Sequence, residues 1–201
     1  MKITIKRDVV SFPLHLPVWS SIHVADAISK DGEEFDVFIG LNKKQVLEIR
    51  DLSLDKNDEE LQNNTGDKEI FNDDSSYLNW YKTGRIPFCL VNKRTDIIAA
   101  LMWIGPKPLG QKLIHLNIQQ EKDNWYAVFC RSYPPFRNKG LMTNFIKFII
   151  DTYKSCFPGI KFWVGMNYDN IPAKKIFTAL EFKTDEKESK LEENWLVMTQ
   201  A

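Results

Sequence analysis

The sequence predicts an α+β domain, a mixed sheet with helices packed on it. Three observations predict it. The apolar runs "IPFCLVN" (86–92) and "IIAALMWIG" (97–105) are continuous and are parted only by the polar "KRTD", a gap that suits a hairpin. "NWYAVFCRS" (124–132) reads as a buried strand, and the segment after Gly140 is the clearest helix of the chain. A second strand, "IKFWVGM" (160–166), and a second helix follow in the same order. No internal repeat and no linker divides the chain.

Each element has its own signal. Residues 1–7 alternate as a short strand through Ile3 and Ile5, whereas 8–34 carry prolines without a period and read mostly as loop. "FDVFIG" (35–40) is a strand. Asn42 with Gln45 three residues later forms a capping box that opens a helix to about Leu54. A second short helix covers Ser75 to Lys82, and "KLIHLNIQ" (112–119) is a further strand or an irregular crossing.

In the helix after Gly140, Met142, Ile146, Ile149, Tyr153 and Cys156 recur at steps of 4, 3, 4 and 3. Leu141, Phe145 and Phe148 widen that stripe, and Thr143, Asn144, Lys147, Asp151 and Lys154 fall opposite it, so the helix faces a core. Pro158-Gly159 ends it. Asn170 caps the next helix, which tolerates Pro172 in its first turn and runs to about Leu180. "FKT" and "NWLVMTQ" supply closing strands. The expected organisation is an N-terminal extension, 1–34, and one domain, 35–201.

Bulk properties narrow the function. A chain of 201 residues with 43% hydrophobic content can bury one sizeable core. Its 27 basic and 27 acidic residues balance, which gives no support to a nucleic-acid binder. Cys89, Cys130 and Cys156 lie far apart in apolar runs, so neither a metal site nor a disulfide framework is expected. No apolar run reaches the ~18 residues of a membrane span, and the N-terminal residues lack the apolar region of a secretion signal. The expectation is a cytoplasmic protein without a membrane partner. Residues 51–74 hold nine acids and two bases; they read as a solvated loop or as an acidic rim for a cationic substrate.

The strand-to-helix turn "SYPPFRNKGLMTNF" (132–145) is the candidate site. The first turn of a helix carries backbone N–H groups without internal partners and a partial positive charge, and such groups hold phosphate oxygens. Gly140 lets a ligand approach without a Cβ in the way. Arg137 and Lys139 add charge, and an arginine can grip phosphate through two parallel hydrogen bonds. Neither G-x-x-x-x-G-K-[ST] nor G-x-G-x-x-G occurs, so both nucleotide-binding motifs are excluded.

The run "WYAVFCRSYPPFRNKGLMTNFIKFII … KFWVGMNYDNIPAKKIFTALEF", roughly 124–182, resembles the core of the GNAT superfamily of N-acetyltransferases. In that family a Pro, then Arg/Gln-x-x-Gly-x-Gly/Ala, forms the pyrophosphate loop for acetyl-CoA. Pro134, Arg137 and Gly140 stand at matching positions, with Met142 where Gly or Ala is usual. Asn170, Ala173, Phe177 and Phe182 match a second family segment, in which Phe177 replaces a Tyr and Glu181 a Gly. The resemblance implies a mixed, mostly antiparallel sheet of the GNAT-like acyl-CoA N-acyltransferase fold. Its strands at 124–132 and 160–166 would run parallel and splay apart at their ends. It also implies acetyl-CoA as co-substrate, without a metal. Arg131, Ser132, Tyr133, Arg137, Asn138, Lys139, Gly140, Leu141, Met142, Asn170 and Phe177 would line the CoA site. The pantetheine arm would pair with backbone groups near Arg131, Ser132 and Tyr133.

Acetyl transfer to an amine needs a deprotonated amine, a polarised carbonyl and, for the leaving thiolate, an acid. Many relatives supply that acid from the Tyr that Phe177 replaces. Tyr168 and Tyr133 are the candidate catalytic substitutes, each with packing as the alternative role. His115 titrates in the useful range, Glu121 and Asp123 precede the strand at 124–132, and Cys130 reads as core. The implied function is N-acetylation of a small-molecule or peptide amine, a cationic one if the acidic stretch 51–74 is a substrate rim; the alternative is a catalytically silent CoA-binding or protein-interaction module of the same fold.

Overall fold

The computed structural model describes residues 1–6, 16–65, 68–110 and 124–201. The segment 112–119, with His115, and both Glu121 and Asp123 lie outside these. Among the described residues, nine strands form one sheet in the order β1-β2-β3-β4-β5-β6-β7-β9-β8. They are β1 (Lys2–Ile5), β2 (Ser21–Ile28), β3 (Glu34–Gly40), β4 (Ile86–Asn92), β5 (Ile98–Pro106), β6 (Trp125–Ser132), β7 (Lys161–Asn167), β8 (Lys183–Thr184) and β9 (Trp195–Gln200). Every pairing is antiparallel except β6 with β7.

Among the described residues five α-helices cover the sheet: α1 (Lys43–Leu54), α2 (Glu59–Asn64), α3 (Asp74–Lys82), α4 (Met142–Cys156) and α5 (Ile171–Ala179). The two-residue period of a strand sends alternate side chains to opposite faces. Phe88 and Leu90 of β4 meet Phe145, Ile146, Ile149 and Tyr153 of α4 in one core; Phe177, Leu180 and Phe182 of the α5 region join it. Cys89 and Val91 face the other way, into a core with Val46 and Ile49 of α1 and Tyr77 and Trp80 of α3. Helices on both faces explain why β4 is buried throughout and reads as an unbroken apolar run.

Two stretches differ from expectation. Residues 8–34, expected mostly as loop, contain β2, which pairs with both β1 and β3. Its inward residues are small (Ala25, Ala27) and its register shifts between His23 and Ala25, so no sustained alternation marks it. The acidic stretch 51–74 is largely helical. Asp58 caps α2 by accepting from Leu61 N (3.0 Å), and Asp73 caps α3 by accepting from Ser76 N (2.7 Å). Acids at these positions satisfy N–H groups that helix starts leave open.

Elsewhere the local signals hold. The Asn42–Gln45 capping box is formed in both directions, and Asn170 Oδ1 accepts from Ala173 N. Among the described residues no helix is long and apolar enough to cross a membrane.

Candidate functional site

The site is assembled where β6 and β7 part. Their parallel pairing covers Trp125↔Lys161, Tyr126↔Phe162 and Ala127↔Trp163 and ends there, although both strands continue. Tyr133 N donates to Ala99 O (3.0 Å), and the β5–β6 register repeats two by two. The backbone groups of Arg131 and Phe129 therefore also turn to β5, while those of Val128, Cys130 and Ser132 turn to the open edge. This corrects the expected pairing set: Arg131 spends its backbone groups on β5, Tyr133 N does the same while Tyr133 O accepts from Phe136 N (2.9 Å), and of the three expected residues Ser132, with Cys130 beside it, faces the open edge.

The loop after β6 leads into an uncapped helix. Leu141 stands at the N-cap of α4 without a side-chain bond, and the first helical bond runs from Phe145 N to Leu141 O (3.1 Å). The N–H groups of Met142, Thr143 and Asn144 thus have no helical acceptor. Asn138 (φ 61°) and Gly140 (φ 69°) bend the loop through left-handed conformations. Both are exposed, and a Cβ built on Gly140 would meet no atom within 4 Å. Met142, the departure from the family pattern, packs against the core beside the buried Leu141 instead of filling that space.

The basic side chains of the loop already hold partners. Arg137 Nη1 and Nη2 donate to Asp58 Oδ1 and Oδ2, both at 2.6 Å, and Nε donates to Ser132 O (2.9 Å). Glu60 Oε2 lies 3.6 Å from Nη1. Burial pushes the Asp58 carboxyl up, but hydrogen bonds from Arg137 and Leu61 N outweigh it and leave its pKa below the usual carboxylate range. Lys139 Nζ donates to both oxygens of Glu33 (2.9 and 3.1 Å).

Other expected site residues are scattered. Arg131 is buried on the α1–α3 face; it donates from Nη1 to Ser53 Oγ (2.9 Å) and stacks near Phe71 and Trp103. The Tyr133 side chain is fully buried in the core beneath α1 and α3, so its hydroxyl does not reach a solvent-facing site. Phe177 is equally buried, edge-on to Phe182 with ring centroids 5.1 Å apart, and lines core rather than an open cofactor channel. Tyr168 is 43% exposed in the β7–α5 turn. Lys174 Nζ sits 4.5 Å above its ring. Burial pushes the Cys130 thiol up to about 12, which leaves it protonated and unsuited to nucleophilic attack at neutral pH.

A cleft of about 460 Å³ lies at the same end of the sheet, lined by Glu60, Asn63 and Asn64 of α2 and by Asn167, Asp169, Asn170 and Pro172. Helix α2 spans the parted strands: Asp58 holds Arg137 beyond β6, and Asn63 O accepts from Asn167 Nδ2 at the end of β7 (3.4 Å). Sequence reasoning missed Asp58, Asn63, Asn64 and Asn167. The Asp-Glu-Glu run at 58–60, an N-cap before an acidic first turn, was the available signal for α2. Away from this site His23, Asp26 and Asp36 converge on β2 and β3, but Lys93 Nζ already lies 2.6 Å from Asp26.

No family model and no curated protein matches the sequence. Solved structures do. The GNAT domain of PAT from S. lividans superposes with a TM-score of 0.65 at 10% identity, over 87% of this chain and 94% of that one. Ribosomal-protein-S5-alanine acetyltransferase from Vibrio fischeri gives 0.61 at 13%, over 87% and 96%. The chain has the GNAT fold. A third GNAT-fold neighbour, the microcin C7 self-immunity acetyltransferase MccE in complex with acetyl-CoA and AMP, gives 0.58 at 13%, over 82% and 92%. The shared fold accounts for the single parallel pair inside an otherwise antiparallel sheet and for the expected splay beyond Ala127.

Proposed function

We propose that this protein is an acetyl-CoA-dependent N-acetyltransferase that acts on a primary amine of a small molecule or peptide. One observation carries it: the open edge of β6 runs directly to the uncapped N-terminus of α4. On the open edge, the backbone groups of Cys130 and the N–H of Ser132 suit the amides of a pantetheine arm. The N–H groups of Met142, Thr143 and Asn144 suit a pyrophosphate, and the open space beside Gly140 admits it. Asn138, Lys139 and Leu141 shape or flank that loop. Arg137 can add a charge-assisted grip once it leaves Asp58. No metal is required.

The transfer forms a bond from the amine nitrogen to the acetyl carbon and breaks the carbon–sulfur bond. The amine loses a proton and the departing thiol gains one. Backbone N–H groups of the open β6 edge are positioned to polarise the carbonyl. With Phe177 apolar and Tyr133 enclosed, Tyr168 is the exposed tyrosine left to serve the leaving group. A second reading, a CoA-binding module without catalysis, draws on the same burial of Phe177 and Tyr133.

Calorimetric titration with acetyl-CoA, together with thiol release over a panel of amines, tests the proposal. Binding with release supports it. Binding with no release from any amine favours the silent module, and absence of binding at tens of micromolar (about −6 kcal/mol) rejects both.

A further inference from the structure

We infer that the cleft between α2 and the β7–α5 turn is the acceptor subsite, and that it selects a peptide amine with a second positive charge close by. The inference rests on the acetyl-transfer reading above and adds the class of acceptor.

The lining carries the chemistry. It holds two carboxylates (Glu60, Asp169), four carboxamides (Asn63, Asn64, Asn167, Asn170) and no cation. A phosphate-bearing molecule would be repelled there, so the cleft does not suit the anionic half of the cofactor. The open N–H groups of α4 serve that half, and α4 packs on the sheet face opposite α1 and α3. Asn167 closes β7 and turns to α2, so the cleft meets the parted strands from the other side. Two substrates can then approach the gap from opposite faces.

Carboxamides carry both donors and acceptors, the pattern that complements peptide N–H and C=O groups; Asn170 keeps its amide donors beside the bond its Oδ1 accepts from Ala173 N, and Asn167 keeps its Oδ1 beside the bond its Nδ2 donates to Asn63 O. The two acids are exposed or half-exposed, which lets them meet a hydrated cation without a large desolvation cost. A volume near 460 Å³ admits a few residues of an extended chain end but not a folded surface. Arg137 lies 3.6 Å from Glu60 but is shared with Asp58 at 2.6 Å, so two carboxylates meet one guanidinium there and a negative charge is left over.

The probes are two peptide amides that each carry one primary amine, Ala-Arg-Ala and Ala-Glu-Ala. Each is titrated calorimetrically into the protein with and without CoA, and thiol release from acetyl-CoA is followed in parallel. The arginine peptide is expected to bind roughly tenfold more tightly, and the double variant Glu60→Gln/Asp169→Asn to remove that difference. Equal affinities, or a preference that survives in the variant, overturn the assignment. Selective binding without thiol release keeps the subsite and removes acetyl transfer. Release from both peptides at equal rates keeps acetyl transfer and removes the subsite.

Discussion

Arg137 and Asp58 face each other through two parallel 2.6 Å hydrogen bonds across 79 residues of sequence. Asp58 is 5% exposed and Arg137 15%. The arginine that family resemblance assigns to phosphate is thus committed to a carboxylate in the free protein, and a phosphate gripped by it would have to displace Asp58.

Asp58→Asn tests that competition. Asparagine caps a helix as well as aspartate does, so α2 keeps its bond to Leu61 N. The variant is expected to bind acetyl-CoA about three- to tenfold more tightly, a gain of up to ~1.4 kcal/mol. Unchanged or weaker binding by calorimetry would show that Arg137 stays with Asp58 in the complex. The pair also sets an acid limit. With its folded pKa depressed, Asp58 adds stability that is present above the unfolded value of about 3.9 and is lost as pH falls through the folded value.

Arg137→Ala leaves the Asp58 carboxylate buried without its cation. Breaking such a pair from one side costs about 3–5 kcal/mol, reduced here by the partial exposure of Arg137. The double variant Arg137→Ala/Asp58→Asn is expected to recover most of that loss in urea denaturation. Its acetyl-CoA affinity, compared with that of Asp58→Asn alone, then isolates the phosphate grip at about 1.5–3 kcal/mol.

Phe177→Tyr places a hydroxyl in the core beside Phe182. An unsatisfied buried hydroxyl costs about 1–3 kcal/mol, so thermal unfolding should occur at lower temperature. Thiol release should not rise, because the added group does not face the gap. A faster enzyme would instead show that this position opens onto the thioester.

Gly140→Ala meets no steric obstacle in the free protein, since a Cβ there has nothing within 4 Å. Its stability cost should be only the ~1 kcal/mol of holding a non-glycine residue at positive φ. The loss of acetyl-CoA affinity should be larger, because the new methyl occupies the space a phosphate needs. Affinity that falls no more than stability would place the phosphates elsewhere.

Glu48 gives a prediction of opposite pH sign. Burial raises its pKa, although Ile98 N donates to its Oε1 at 2.6 Å. The folded protein therefore holds this proton more tightly than the unfolded chain. Stability falls as pH climbs from about 4.3, the unfolded value, to the folded value, and the penalty is constant above that. Glu48→Gln keeps the acceptor without the charge. It should raise the Tm at pH 7 and leave it nearly unchanged at pH 4.

Much of this was legible locally. The capping box at Asn42, the stripe of α4 and the cap at Asn170 are short-range signals, and each produced its element. Strand β2 was not legible, because Ala25 and Ala27 bury little surface and a register shift breaks the period. The loop around Gly140 could be found from its neighbours in sequence. The partner of Arg137 could not, because Asp58 reaches it only through the tertiary fold. Excess charge in 51–74 said nothing about which acids cap helices and which line a cleft.

Helix α2 has six residues, too few to persist alone in water. It keeps its shape because side-chain tethers fasten it at either end, Asp58 to Arg137 and Asn63 to Asn167. Leu61, buried in the core, and Gln62, which donates to Ser53 O and Asp55 O, hold it from beneath, whereas Glu59, Glu60 and Asn64 are exposed. Evolution or an engineer can rewrite these three to change the chemistry of the cleft while the loop around Gly140 stays as it is.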